Sequence, residues 1–328
     1  MVNRGLHAGR QSSGGFSLNV FAEDEIEDIH LATLEVLERA GVFVEDDEAL
    51  NIFADGKCMV DREKRNVRIP GSIVEEAIRS APPRVFYAGR DPKDDYVAEA
   101  NRIHFVNFDE GLKYVDPWTG ERRDPTIKDV GDCARLVDAM SDIDGYESAI
   151  CAMDVPTETY ALHGLEAALL NTTKSVGCEA IDGWEMRKCA EVAACVVGGV
   201  DELRERPIVG FGVCPVSPLK LPRDATEVII ATARLGLPDT ILSMAMAGGS
   251  SPVSLAGTLV IHNAEVLSGI VLAQLTERGA PVVYGSSTTA MDLRYAAAAV
   301  GSPEIALIGA AVAQMSKQYR LPSCIAGA

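Results

Sequence analysis

Beyond about residue 143 the chain alternates between apolar runs of strand length and runs of helical length. This alternation constrains the fold more than any other feature, because consecutive parallel strands need a long crossover and a helix is its usual form. The runs read as strands cover 145–153, 175–180, 208–215, 240–247, 282–287 and 323–327, with helices over 159–171, 185–198, 224–235, 253–278 and 303–319. These strands are short, rich in Gly and Ala and apolar on both faces, as in a sheet covered by helices on one side and packed on itself on the other. An α/β fold of the (β/α)8 TIM type fits. The rival doubly wound sheet lacks a GxGxxG after its first strand. About five and a half strand–helix units are counted where a closed barrel has eight, so the expectation is an incomplete barrel with unpaired edge strands.

Upstream the pattern is mixed. An amphipathic helix over 24–40 carries Ile26, Ile29, Leu34 and Leu37 at helical spacing and meets a stop at Gly41. Short β-like runs at 42–44, 58–60, 66–69, 84–87 and 103–106 alternate with helical pieces at 48–55 and 71–81. Pro117, Thr119, Gly120 and Pro125 make a turn-rich joint before a helix over 126–140. The expected organisation is a flexible polar arm over 1–20, a mixed α+β subdomain over 21–125 and the incomplete barrel over 126–328.

Composition narrows the function classes. Thirty Lys and Arg stand against 48 Asp and Glu, a net charge of −18, so the overall field repels phosphate backbones and nucleic acid is not an expected partner. The first twenty residues have no secretory apolar core. The most apolar segment, 253–276, is interrupted by His262, Asn263 and Glu265, which argues against a membrane span. Eight scattered cysteines without a CxxC pair fit reduced thiols in a cytoplasmic protein.

In such a barrel, chemistry sits at the carboxyl ends of the strands. Those positions here are acidic, small and hydroxylic: Glu179 and Asp182 follow one strand, Cys214 another, and Gly285-Ser-Ser-Thr-Thr289 a third. No Lys lies at a strand's carboxyl end, which removes the obvious Schiff-base residue. The five His never occur as HxH or HxxxH, so no metal site is expected. Glu179 and Asp182 read either as site carboxylates or as caps of the next helix, and the Ser-Thr run either as an anion cradle or as a tight turn. Phe105, Phe108, Asp109 and Glu110 bring rings and carboxylates together, a combination that suits a methylated ammonium ion.

Several stretches together resemble the trimethylamine methyltransferase family. They are Leu34-Glu-Val-Leu-Glu-Arg-Ala-Gly-Val-Phe-Val-Glu45, Pro70-Gly-Ser-Ile-Val-Glu-Glu-Ala-Ile78, Thr119-Gly-Glu-Arg-Arg123, Tyr284-Gly-Ser-Ser-Thr-Thr-Ala-Met-Asp-Leu-Arg294 and Gly301-Ser-Pro-Glu304. The resemblance runs from about residue 20 to the end. It implies a barrel with an N-terminal extension and transfer of a methyl group from trimethylamine to the Co(I) centre of a cognate corrinoid protein, in methylamine metabolism or methanogenesis. The corrinoid then belongs to the partner and no cofactor is bound directly. Some family members carry pyrrolysine, encoded by an amber codon. By resemblance it falls at or just after Ala328, so the expectation is that the amber codon is read as a stop and the catalytic residue is not in this sequence. Candidate substrate-binding residues are Phe108, Asp109, Glu179, Asp182, Tyr284, Ser286 and Ser287. Two alternatives remain: a member without pyrrolysine that demethylates glycine betaine or another quaternary amine, and an inactive truncated fragment or binding module. A homo-oligomer is also expected.

Overall fold

The structure is a computed structural model describing residues 10–11, 18–100 and 102–327. The expected arm over 1–20 falls mostly outside the described residues, as does Ala328.

Helix α1 (Glu23–Arg39) opens on Glu23, Asp24 and Glu25, whose charge suits a helix N-terminus, and buries Ile26, Ile29, Thr33 and Leu37 as one stripe. Next come β1 (Val42–Val44), α2 (Asp47–Asp55), β2 (Met59–Asp61), β3 (Asn66–Arg68) and α3 (Gly71–Ser80). β1 and β2 flank β3 as antiparallel neighbours, and the free edge of β1 takes the short strand Lys220–Leu221 in parallel. The N-terminal elements are thus joined by backbone hydrogen bonds to the later part of the chain. β4 (Arg84–Tyr87) and β5 (Tyr96–Glu99) form an antiparallel hairpin. It is fixed beneath the main sheet by Ala88 N donating to Pro207 O at 2.9 Å and by Arg206 pairing with Asp95 at 2.7 Å.

From Val176 onward the second half alternates as the sequence predicts, while the expected first strand, 145–153, is reduced to single bridges. Helices α4 (Ile127–Ala139), α5 (Tyr160–Asn171), α6 (Gly183–Val197), α7 (Val200–Glu205), α8 (Arg223–Leu235), α9 (Leu255–Thr276) and α10 (Pro303–Tyr319) cover a sheet of β6 (Val176–Cys178), β7 (Val209–Val213), β8 (Asp239–Ser243), β9 (Val282–Ser286) and β10 (Ser323–Ile325). All neighbouring pairs are parallel and stand in chain order, the connectivity of a TIM-type barrel. Single bridges continue the sheet beyond β6, from Val176 to Tyr146 and from Gly145 to Val106. The sheet is strongly curved. Cys324 on β10 feels the charge of Glu147 beside β6, although a flat sheet with its ~4.8 Å strand spacing would hold them more than ~20 Å apart.

Helix α9 is the core helix. It packs on α1, α2, α3, α8, β8 and β9 and is buried on every side from His262 to Gln274, so that stretch has no polar face. By length and composition alone it could cross a membrane. In this fold its polar residues find internal partners instead.

Candidate functional site

The carboxyl end of the curved sheet carries carboxylates seated over glycines. Tyr146 pairs with Val176, so the next residue, Glu147, stands beside Gly177. A Cβ on Gly177 would lie 1.5 Å from Glu147 Oε2, which means that the carboxylate occupies the space a side chain would fill. The arrangement repeats one strand on. Glu179 stands beside Gly212 of β7, where a Cβ would lie 2.8 Å from Glu179 Oε1. Strand alternation places Gly177 and Glu179 on the same face, the concave one. Toward the amino end that face is closed by the stacked rings of Tyr87 and Tyr96, 4.9 Å apart and 8° from parallel. Tyr87 lies under Gly210 and Tyr96 under Gly145.

The segment after Val106 completes the cluster. Asn107 grips the Glu147 backbone at both ends, accepting from its N–H at 3.0 Å and donating to its C=O at 2.8 Å. Glu110 N and Gly111 N then donate to Ser148 O and Ala149 O at 2.7 and 3.0 Å, which holds Asp109 and Glu110 at the mouth. Tyr160, at the start of α5, places its hydroxyl 2.8 Å from Glu179 O and 3.1 Å from Glu110 Oε1. The hydroxyl of Tyr160 thus bridges the two, its one proton shared between Glu179 O and the Glu110 carboxyl group.

Burial is the main reason these groups favour their neutral forms, and mutual repulsion adds to it. Glu147 is pushed up to about 8 by burial and by Asp109. Glu179 is raised well above the carboxylate range by burial and then by Glu147, Glu110 and Asp109. Burial likewise raises Asp109 and Glu110. Among the described residues none of these four carboxyl groups has an ion-pair partner. The thiols facing the same space are pushed up too, Cys214 and Cys324 to about 12 and Cys151 to about 11, which favours the thiol over the thiolate form.

Of the sequence-predicted residues, Asp109 and Glu179 come together in this mouth. Phe108 stands at the rim, 76% exposed. Ser287 follows β9, with its N–H bonded to Ser243 O at 2.9 Å. Asp182 lies outside the cluster: it is the N-cap of α6, accepting from Glu185 N at 2.8 Å. Tyr284 is fully buried behind the sheet, where its hydroxyl donates to Asn263 of α9 at 2.7 Å. Register explains this placement, since Gly285 faces Leu242 and its neighbours Tyr284 and Ser286 point the other way. Ser286 is buried there and receives Thr288 N at 3.3 Å. The residues that sequence reasoning missed are Glu147, Asn107 and Tyr160. The available signal was a Glu in a strand whose partner position, one strand on, is a Gly.

Comparison with known proteins decides the family. Residues 10–328 match the family described as trimethylamine methyltransferase (MTTB). The chain belongs to the trimethylamine methyltransferase family. It is 45% identical to trimethylamine methyltransferase MttB of Desulfitobacterium hafniense over 98% of this chain and 65% of that protein, and 44% identical to its Methanosarcina thermophila namesake over 100% of this chain and 69% of that protein. It is 32% identical to a glycine betaine methyltransferase of Desulfitobacterium hafniense over 93% of this chain. The chain thus spans about two thirds of the length of these curated relatives. The fold is similar to the crystal structure of the Methanosarcina barkeri monomethylamine methyltransferase (MtmB), with a TM-score of 0.53 at 14% identity over 92% of this chain and 67% of that one.

Proposed function

We propose that this chain provides the amine-holding mouth of a trimethylamine:corrinoid methyltransferase. The observation that carries the reading is the set of carboxyl groups, Asp109, Glu110, Glu147 and Glu179, gathered at the carboxyl end of the sheet without ion-pair partners among the described residues. The names of the relatives support trimethylamine as the substrate class.

A methyl group leaves nitrogen readily only when the nitrogen is positively charged, because the departing amine is then neutral. The C–N bond breaks with its electron pair going to nitrogen, and the carbon takes its new pair from the incoming nucleophile. A corrinoid carried by a partner protein supplies that nucleophile as Co(I). The part of this chain is to keep the amine cationic, dry and in line. Glu147 and Glu179, seated over Gly177 and Gly212, hold protons readily in the absence of a cation; an entering ammonium cation offsets their mutual repulsion, and as carboxylates they then supply the negative field. The tyrosine floor closes the inner end, so the methyl group to be transferred faces the open mouth. Exposed Phe108, Met153, Val216 and Met244 in the segments around that mouth suit the approach of a large apolar group on a partner. In this reading no metal or cofactor is held by the chain itself, and it works as a cytoplasmic homo-oligomer whose eight free thiols suit a reducing compartment.

Charge favours trimethylamine over glycine betaine. Betaine carries a carboxylate, which an acidic mouth repels. Isothermal titration of the chain with tetramethylammonium, whose charge does not titrate, and separately with glycine betaine tests the reading. Saturable binding of tetramethylammonium, tighter than betaine by about tenfold or more, is expected. Equal affinity, or preference for betaine, would overturn the assignment in favour of the second substrate.

A further inference from the structure

Helix α9 carries two ionisable side chains, one helical turn apart, that the proposed reaction does not use. Both His262 and Glu265 are fully buried. Both point at the sheet's carboxyl end and both are bonded to segments that leave it. Glu265 Oε2 accepts from Ser217 Oγ at 2.8 Å and from Ser243 Oγ at 2.6 Å, and its Oε1 accepts from Leu219 N at 2.9 Å. One carboxyl group therefore ties the loop after β7 to the last residue of β8. His262 Nδ1 lies 2.9 Å from Thr288 Oγ1, and Thr288 Oγ1 donates to Ser243 O at 3.2 Å. Because the threonine's only hydroxyl proton goes to that carbonyl, Thr288 must accept from His262, which fixes the imidazole as the Nδ1–H tautomer. The remaining nitrogen, Nε2, is buried without a hydrogen-bond partner among the described residues. A bare ring nitrogen there is tolerable as a lone pair but not as an N–H, and burial accordingly holds the imidazole neutral, down to about 3.

We propose that His262 and Glu265 are positioning residues for the mouth: together they lock the three successive segments that follow β7, β8 and β9. Those segments carry Cys214, Met244 and Ser287, and they form the side of the mouth across from Asp109 and Glu147. An apolar residue at position 265 would let α9 pack equally well against the sheet, so packing alone does not call for a carboxylate. Its three bonds all go to the carboxyl-end segments. The relevance of this lock to ligand binding rests on the reading that the mouth is the cation site.

The test combines amide hydrogen exchange with tetramethylammonium titration on the full chain and its variants. In Glu265→Ala, exchange at 214–219 and at 243–247 should accelerate by about tenfold or more, the loss expected when three bonds to a buried carboxyl group vanish, while β6 keeps its protection. Affinity for tetramethylammonium should fall several-fold, and Glu265→Gln should restore part of both. Ser217→Ala removes only the bond to the first loop, so loosening should be confined to 214–219. Thr288→Val removes the bonds to His262 and to Ser243 O, so it should loosen 285–289 and the adjoining end of β8 while 214–219 keeps its protection. These two variants leave α9 intact and keep the test decisive if Glu265→Ala fails to fold. Uniform acceleration across the sheet, or no change at these three segments, would overturn the proposal. If the parent chain does not bind tetramethylammonium at all, the substrate reading fails and the exchange pattern alone decides the positioning role.

Discussion

Glu147 concentrates the chemistry of the mouth in one residue. Its carboxyl group binds a proton in the folded chain up to about pH 8, while the unfolded chain releases it near the ordinary carboxylate value. Stability from this group is therefore full at acid pH and is lost as pH rises through about 8. Glu147→Gln keeps the shape without the titration. We expect its stability to match the parent near pH 5 and to exceed it at pH 9 by on the order of 1 to 2 kcal/mol. Thermal melts at the two pH values check this, and a gain at acid pH instead would contradict it. The two carboxylates also mark what a sequence can reveal about a site. Glu179 is legible because it directly follows a strand of ordinary length. Glu147 is hidden because 145–153 reads as one strand ending at Met153, whereas pairing with β6 stops after Tyr146 and the chain then runs beside 107–111. Hydropathy does not record where a ladder ends. Asn107, which holds the Glu147 backbone, carries no signal at all until the two segments are seen side by side.

Among the elements, agreement is closest where period and punctuation coincide. The spans α9 (Leu255–Thr276) and α10 (Pro303–Tyr319) fall within two residues of the sequence reading, since Ser254 caps the first and Pro303 opens the second. β5 escaped notice because its apolar run, Tyr96 to Ala98, is only three residues long and sits between Asp94-Asp95 and Glu99. The Tyr96 ring proves structural, stacking with Tyr87 beneath the amino end of the main sheet. Register decides the fate of Tyr284. The Tyr284-to-Arg294 stretch is one of those that resemble the family, and its position on a strand end reads as rim, but the odd-even alternation of β9 turns the ring toward α9. Tyr284→Phe should therefore cost about 1 to 2 kcal/mol of stability by leaving Asn263 without its donor. Affinity for tetramethylammonium should stay within about twofold of the parent. A large loss of affinity with stability unchanged would return Tyr284 to the mouth.

For the molecule as a whole, the boundary near residue 125 separates parts that are closely joined. β1 shares an edge with Lys220–Leu221, α1 and α3 pack on α9, and the β4–β5 hairpin lies under the amino end of the main sheet. The buried chain His30–Tyr319–Asn263–Tyr284 runs from α1 through α10 and α9 to β9 on hydrogen bonds of 2.7 to 2.9 Å. Such coupling predicts one cooperative thermal transition, with tryptophan fluorescence and far-ultraviolet circular dichroism melting together. Two separated transitions would show that the N-terminal elements fold independently. The excess of acidic residues acquires a location at this scale, because Asp109, Glu110, Glu147 and Glu179 converge on the mouth. The central claim, that this acidic end is a cation site, is tested most directly by titrating tetramethylammonium into the parent chain and into Glu179→Gln at pH 8. Saturable one-to-one binding weakened about tenfold or more by the substitution is the predicted result. Binding of equal strength in both proteins would contradict it.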